Sequence, residues 1–287
     1  MTFKLTNTRL FTFGCSFTQY MWPTWADILS KNFNFYENWA LAGAGNLYIF
    51  NSIIEAHKRH QFKNDDTIII MWSGLTRIDY YKNNSWQPQG SDFELKYNDI
   101  DGVEIINYAY IDSIKTLFDS LGVNYKMLCL SLYSKNCNSY ILYKDSIDSL
   151  TLFPYKLTNK TINIDLTDLK STYFYNLIKN AYDRNAGVDW PAFDDYWDNP
   201  SAVNDVMIQE EINKCISTFT SGFEHLQKSI NLLDSHPTPA EHLDAVIKLF
   251  PDYTLSNETK SWITTADNII RNNLTIPYTT SSPKVRL

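Results

Sequence analysis

The sequence feature that most limits the possible folds is a mainly apolar run at Asp66–Trp72. After Asp66 and Thr67 it continues as Ile-Ile-Ile-Met-Trp, so both faces of the strand it predicts are apolar. A strand of this kind must be covered on both faces, which is typical of a parallel sheet between layers of helix. The run Tyr125–Leu132 has the same character and predicts a second buried strand.

Strand and helix patterns alternate through the first half of the chain. Strands are predicted at residues 9–13, 33–39, 66–72 and 125–132, and helices at 22–31, 46–60 and 107–121. Gly122 marks the end of the third helix. This order predicts an α/β fold with a central parallel sheet and right-handed crossovers.

The remaining segments are harder to assign. The polar residues 82–102 predict a long loop or a β-excursion, and residues 138–204 predict an insertion within a single domain over residues 1–252. The acidic and aromatic patch 189–198 could bind a sugar or a cation, or could be a loop held by its own aromatics. Further helices are predicted at 204–233, 239–250 and, within a C-terminal extension over 253–287, at 257–272.

Composition excludes some partners. The 287 residues carry a formal net charge of −7. We therefore expect binding to neither nucleic acid nor membrane, because phosphate binding depends on clustered Lys and Arg. Aromatic residues make up 15% of the chain, which suits stacking on carbohydrate. A high aromatic content is equally expected of an ordinary Tyr-, Asn- and Lys-rich sequence from an AT-rich genome, without any role in carbohydrate binding.

The four cysteines predict neither a metal site nor a disulfide framework. Cys15, Cys129, Cys137 and Cys215 match no zinc spacing, and Cys129 is predicted to be a buried thiol. No metal or cofactor is expected. The first residues lack the apolar core of a signal peptide, and no apolar run is long enough to span a membrane. We expect a cytoplasmic protein, with export inside an assembled particle left open and the oligomeric state unknown.

A serine follows the first predicted strand at once, in the run Phe13-Gly14-Cys15-Ser16. A hydroxyl at the carboxyl end of such a strand faces the crevice where open α/β sheets bind ligands. Ser16 is therefore a candidate nucleophile. The other interpretation is a helix N-cap, a position that serine also favours.

A second candidate motif, Asp234-Ser235-His236-Pro237, lies near the other end of the chain. His236 could take the proton of Ser16, and Asp234 could orient the imidazole and stabilise its charged form. A surface loop followed by a helix cap would give the same pattern. The chain order Ser, Asp, His is found among α/β hydrolytic enzymes.

Together these motifs resemble the SGNH, or GDSL-like, hydrolase superfamily. Gly14–Thr18 resembles its first block, with Cys15 and Phe17 in place of the usual Asp and Leu, and Asp234–Pro237 resembles its last block. Asn38–Gly43 is similar to the second block. The resemblance implies a three-layer α/β/α flavodoxin-like sandwich with insertions. It also implies an esterase, lipase, thioesterase or carbohydrate deacetylase activity without a cofactor.

The same resemblance gives the backbone N–H groups of Ser16 and Gly43 the role of oxyanion donors, with Gly45 as a competitor for Gly43. The third block departs from the family pattern, because Leu75 stands where an Asn side chain would complete the oxyanion hole. The two backbone donors could suffice, or the protein could be weakened or inactive. Alternatively a polar neighbour replaces the Asn, the candidates being Ser73, Thr76, Arg77 and Asn46, of which we favour Asn46 and Arg77. Asn46 could instead be a helix N-cap, and Arg77 a surface ion.

The leading functional prediction is a serine esterase of the carboxylesterase or acetylesterase type. Ser16 is the nucleophile, His236 the general base and Asp234 its orienting group. The substrate would be a small-molecule or carbohydrate ester, with an O-acetylated carbohydrate as the best candidate. The alternatives are a weak or inactive protein of the same fold that binds carbohydrate or serves a structural role, and a sugar O-acyltransferase.

Overall fold

The computed structural model describes residues 8–75, 77, 79–82, 85–88, 100–130, 140–155, 160–165, 229–234, 236–272 and 275–276. These residues fall into two compact units. The first lies within Met1–Thr158 and Ser235–Asn268, and the second within Asn159–Asp234 and Ile269–Ser281.

A parallel sheet forms the centre of the first unit. Its strands are β1 (Arg9–Phe13), β2 (Phe35–Asn38), β3 (Thr67–Trp72), β6 (Asn124–Cys129) and β7 (Thr151–Leu152). They lie in the order β2-β1-β3-β6-β7, and each neighbouring pair is parallel. This is the flavodoxin-like order, in which the chain reverses direction across the sheet between β1 and β3.

Helices cover both faces of this sheet. They are α1 (Trp25–Ser30), α2 (Asn46–His60), α3 (Ile100–Leu121), α4 (Tyr140–Asp148), α5 (Pro239–Leu249) and α6 (Asn257–Arg271). Helix α1 contacts α5, while α2 contacts α3 and α3 contacts α4. Right-handed crossovers explain the division, because the connection through α1 runs one way across the sheet and those through α2, α3 and α4 run the other way. The predicted fold class, α/β with a central parallel sheet between helix layers, is confirmed.

The apolar run that predicted a central strand lies at the middle of the core. Every residue of β3 is buried, and Ile68 to Trp72 have no exposed surface. Strand β1 pairs with one edge of β3 and β6 with the other. Burial on both faces and pairing on both edges account for the unbroken apolar pattern. The predicted burial of the Cys129 thiol is confirmed, and burial raises the pKa of this thiol to about 11.

The middle of the chain agrees with the prediction in part. Of the two structures predicted for residues 82–102, a long loop or a β-excursion, the hairpin of β4 (Asp79–Lys82) and β5 (Ser85–Pro88) agrees with the second, while α3 begins at Ile100, earlier than predicted. The insertion was predicted to begin at residue 138, which is too early, because β7 still pairs with β6 in the main sheet. Strand β7 contributes only two residues, too short a run to show a period in the sequence.

The second unit contains a small sheet of its own. Strands β8 (Lys160–Asp165), β9 (Ser229–Asp234) and β10 (Thr275–Ile276) lie in the order β10-β8-β9. The helix predicted to continue to residue 233 is therefore wrong over residues 229–233, where the chain pairs antiparallel with β8. The patch at 189–198 lies outside the described residues. Among the helices that the structure describes, none is both long and apolar enough to cross a membrane.

Candidate functional site

The candidate site lies where the direction of the chain across the sheet reverses. Strand β1 ends at Phe13 and leads into Ser16, and the neighbouring strand β2 ends at Asn38 and leads into Gly43. In open α/β sheets the crevice outside the carboxyl ends of the strands at this reversal is the usual place for a ligand. The topology therefore places the predicted nucleophile at the expected binding edge.

A tight turn after β1 presents Ser16. The backbone N–H groups of Thr18 and Gln19 both donate to the Cys15 carbonyl, at 2.9 and 3.1 Å. At Gly14 a Cβ would collide with the Thr18 side chain and lie 3.1 Å from Cβ of Met71. Glycine is required because the turn folds back onto its own strand. Ser16 itself is only 3% exposed.

The predicted base is in contact with the predicted nucleophile. Nε2 of His236 lies 2.8 Å from Oγ of Ser16, although the two residues are 220 positions apart in the chain. This is a normal hydrogen-bond distance, and it is the geometry in which an imidazole can take a hydroxyl proton. The sequence suggested this pair only because serine and histidine can act as nucleophile and base, and the structure places the two side chains in contact.

Aromatic side chains hold the imidazole in place. The ring of Tyr20 stacks on His236 with centroids 4.0 Å apart, and Phe17 lies 5.3 Å away. Trp22 contacts Tyr20 edge to face and donates its Nε1–H to the Pro237 carbonyl at 2.7 Å. Tyr20 and Phe17 thus hold the ring of His236, and Trp22 holds the backbone that follows it.

Helix α5 fixes the same segment from its other end. Thr238 is its N-cap, and Pro239 occupies the first turn. The Thr238 Oγ1 accepts the N–H of Glu241 at 3.3 Å, and the Glu241 carboxylate accepts the N–H of Thr238 at 2.7 Å. This capping box makes the start of the helix definite. The cap interpretation of the motif thus holds for Thr238, two residues beyond His236.

The loop between β2 and α2 carries the predicted oxyanion donor. Gly43 has φ of +82°, a conformation that glycine adopts without strain. The N–H of Leu41 donates to the Gly14 carbonyl at 3.1 Å, which ties this loop to the turn of Ser16. Within the part of the chain that the structure describes, the N–H groups of Ser16 and Gly43 have no protein acceptor. Both donors are therefore available to a ligand.

Two other candidate donors are already engaged. The N–H of Gly45, the competitor of Gly43, donates to Asp79 at 2.7 Å. The Asn46 amide donates to the Ser73 carbonyl at 3.2 Å and to Asn107 at 2.6 Å. Both of its hydrogens are used, so Asn46 joins α2, β3 and α3 in the core and does not serve as an oxyanion donor. It is not the N-cap either, because Gly45 holds that position.

Arg77 remains a candidate beside this loop. Its Nη1 lies 3.5 Å from the Ala44 carbonyl. Burial raises the pKa of Tyr155, and the positive charge of Arg77 opposes that rise. The guanidinium is therefore close enough to Tyr155 to influence its hydroxyl. Leu75, at the position of the missing Asn, packs against the hydrophobic core. Thr76 lies outside the described residues.

Asp79 is a residue of the site region that the sequence did not predict. This carboxylate is 4% exposed and accepts the N–H groups of Gly45 at 2.7 Å and Tyr48 at 2.8 Å. Burial raises the pKa of Asp79 to about 6, while the two N–H donors and the charge of Arg77 act in the opposite direction. An acidic residue 34 positions from Gly45 has no local sequence pattern that would have linked the two.

A second aromatic group packs around Phe17, the residue next to Ser16. The ring of Phe17 meets Tyr155 edge to face at 4.9 Å and Phe153 at 6.4 Å. Phe153 follows β7, and its N–H donates to the Cys129 carbonyl at the end of β6. Apolar rings around a hydroxyl exclude water and strengthen the electrostatic interactions formed there.

The third member of the predicted triad is described only in its backbone. Asp234 is the last residue of β9, in the second unit, and its main chain pairs with Lys160. Its side chain lies outside the described residues, so its role beside His236 stays a prediction. No group of three or more potential metal ligands occurs among the residues described.

Comparison with known proteins gives limited information. No protein-family model matches the chain, and no curated protein matches it. The crystal structure of the protein YXIM from Bacillus subtilis is similar over 75% of this chain, at 13% sequence identity and with a TM-score of 0.30. The chain spans 57% of the length of that protein.

Proposed function

We propose that this chain is a serine hydrolase of the SGNH type that cleaves ester bonds, with Ser16 as nucleophile and His236 as general base. The observation that carries the proposal is the 2.8 Å separation between Ser16 Oγ and His236 Nε2 at the carboxyl end of β1. A serine is a weak nucleophile by itself and needs an adjacent base to take its proton. A buried serine in contact with a partly buried histidine, at the edge of an α/β sheet where ligands bind, meets that need.

The proposed chemistry proceeds in two halves. Ser16 Oγ attacks the ester carbonyl as its proton passes to His236 Nε2, and the carbonyl oxygen becomes an oxyanion. The oxyanion collapses, the bond to the alcohol breaks, and His236 donates its proton to the departing oxygen. Water, deprotonated by His236, then releases the acid from Ser16 by the same two steps.

The oxyanion needs donors that are already in place. The N–H groups of Ser16 and Gly43, which have no acceptor among the residues that the structure describes, are the proposed donors, and Arg77 near Ala44 is the candidate for a third. Loss of one donor from such a site costs roughly 3 kcal/mol of transition-state stabilisation. Two backbone donors without the usual Asn are therefore compatible with a working but slower enzyme. Asp234 is the proposed partner of the second imidazole nitrogen.

For the substrate, we propose an O-acetylated carbohydrate. Tyr20, which packs on His236, and Tyr155, which packs on Phe17, are both only partly buried and are the kind of aromatic ring on which sugars stack. Release of acetate to water and its transfer to a second sugar share the same acyl-enzyme. Product analysis with and without an added sugar acceptor separates a hydrolase from an acyltransferase.

Hydrolysis of p-nitrophenyl acetate tests the proposed function. We expect Ser16→Ala and His236→Ala each to lower kcat on the order of 10³-fold or more, because the pair acts as a unit. Ser120→Ala, an exposed helical serine far along the chain, serves as the matched control and should keep the wild-type rate. Equal rates for wild type and Ser16→Ala would refute the proposal. A wild-type protein without activity would favour the non-catalytic alternative.

A further inference from the structure

Asp79 joins the β4 hairpin to the start of α2. Its two carboxylate oxygens are used separately, Oδ1 by the N–H of Gly45 and Oδ2 by the N–H of Tyr48. The N-cap of α2 is Gly45, which has no side chain to satisfy these first N–H groups. The cap is thus supplied from a different strand, and the negative charge lies at the positive end of the helix dipole.

The backbone of Arg77, two residues before the hairpin, also lies directly against Gly45. A Cβ at Gly45 would lie 2.5 Å from the Arg77 carbonyl oxygen and 2.9 Å from Oδ2 of Asp79. In addition, Nη1 of Arg77 lies 3.5 Å from the Ala44 carbonyl. Arg77 and Asp79 together therefore fix the position of two consecutive residues of the loop, Ala44 and Gly45.

The other end of this loop is fixed as well. The N–H of Leu41 donates to the carbonyl of Gly14, two residues before Ser16, and the N–H of Ala44 closes a turn onto Leu41. Gly43 lies between the two anchors in its left-handed conformation. The direction of the Gly43 N–H is consequently set by the Gly14 carbonyl on one side and by Asp79 on the other.

We propose that Asp79 is the positioning residue of the oxyanion hole, holding the loop Leu41–Gly45 so that the Gly43 N–H points at the reacting carbonyl oxygen. The inference rests on the proposed function and deepens it. In this arrangement Asp79, at the start of the hairpin after β3, supports the oxyanion hole indirectly by fixing the loop. The same connection after β3 holds Leu75, whose side chain cannot donate a hydrogen bond to the oxyanion.

The charge of Asp79 matters because only the ionised form accepts from both N–H groups. A protonated oxygen would direct a hydrogen at one of these donors and break that anchor. The groups that face the carboxylate are Arg77 on its own segment, Tyr48 on α2 and Tyr110 on α3. The negative charge of Asp79 adds to burial in raising the pKa of both tyrosine hydroxyls, so Arg77 is the cation among them.

The test compares Asp79→Asn with wild type on p-nitrophenyl acetate. An Asn can accept only one of the two N–H groups, so we expect kcat to fall about tenfold with KM nearly unchanged, because the interaction acts on the transition state. The ratio of the two kcat values should approach one below about pH 5, where wild-type Asp79 is also protonated, as a pKa near 6 requires. Asp66→Asn is the matched control. Asp66 is fully buried and also accepts a backbone N–H, from Lys63 at 2.7 Å, but it precedes β3 at the opposite end of the strand.

Three results of these measurements would count against the role of Asp79. An unchanged kcat in Asp79→Asn, a loss equal to that in Asp66→Asn, or a ratio that does not vary with pH would overturn the role of Asp79. If Asp79→Asn does not fold, the pH dependence of the wild-type kcat on the acid side decides. A fall in kcat that needs two ionisations supports the role of Asp79, and a fall that fits a single ionisation contradicts it. Absence of Ser16-dependent activity in wild type defeats the proposed function and this inference together, whereas activity with an unaffected Asp79→Asn defeats the inference alone.

Discussion

Tyr20 lies nearly parallel to the imidazole of His236, with ring centroids 4.0 Å apart and an angle of 23° between the planes. The stack places an aromatic face against the group that must hold and release a proton. Such a contact contributes about 0.5–1.5 kcal/mol beyond the burial of its area. Because His236 otherwise emerges from a short loop, this contact restricts the directions in which Nε2 can point.

Replacement of Tyr20 should therefore reduce turnover. We expect Tyr20→Leu to lower kcat/KM by about tenfold, because a loss of about 1.4 kcal/mol of positioning energy corresponds to that factor. Tyr20→Phe keeps the ring and should retain clearly more activity than Tyr20→Leu. Steady-state hydrolysis of p-nitrophenyl acetate measures both, and equal kcat/KM values for the two variants would contradict the positioning role.

Trp22 offers a test of the hydrogen bond to Pro237. Trp22→Phe removes the bond from Nε1 to the Pro237 carbonyl and should lower the free energy of unfolding by about 1 kcal/mol more than the lost packing alone. Trp25→Phe is the control, since Trp25 is fully buried and its Nε1 has no partner among the described residues. Urea denaturation compares the two variants. A larger loss in Trp25→Phe would contradict the assignment.

The glycine before the nucleophile should tolerate no side chain. In Gly14→Ala the new Cβ meets the Thr18 side chain and Met71, so we expect a loss of roughly 1–3 kcal/mol in the free energy of unfolding. In Gly74→Ala the new Cβ meets nothing within 4 Å, and the stability should hardly change. Urea denaturation of the two variants gives the comparison. Similar stabilities would show that the turn around Ser16 is looser than described.

Asp79 predicts a specific dependence of stability on pH. Its pKa is raised from 3.8 to about 6 on folding, so the folded state binds the proton more tightly than the unfolded state. The stabilising contribution of the protonated group is complete below pH 3.8 and is lost as the pH rises through about 6. Relative to Asp79→Asn, which cannot titrate, wild type should lose on the order of 2 kcal/mol of unfolding free energy between about pH 4 and pH 7. A difference that stays constant over this range in urea denaturation would contradict the burial of an ionised Asp79.

Local patterns in the sequence predicted much of the fold. The strand at Arg9–Phe13 and the helix at Asn46–His60 have the bounds expected from their patterns. The first helix is shorter than expected, beginning at Trp25, because Thr24 caps it and leaves Pro23 outside. A cap of this kind competes with the apolar period and fixes the helix start.

The candidate site was predictable only in part. Ser16 and His236 carry chemistry that could be matched across 220 positions, and the structure places them in contact. Asp79 and Tyr20 act through partners that the fold selects, and nothing in their local sequence identifies those partners. Asn46 shows the converse, because an amide that suits an oxyanion hole is used to join three elements of the core.

Covalent labelling by a fluorophosphonate probe tests the central claim most directly. The probe phosphonylates a serine only where a base activates the hydroxyl, and mass spectrometry of the digested protein locates the adduct. The account predicts an adduct on Ser16 in wild type and in Ser120→Ala, and a rate of labelling strongly reduced in His236→Ala. A wild-type protein that stays unlabelled, or that is labelled equally after Ser16→Ala, would contradict the account.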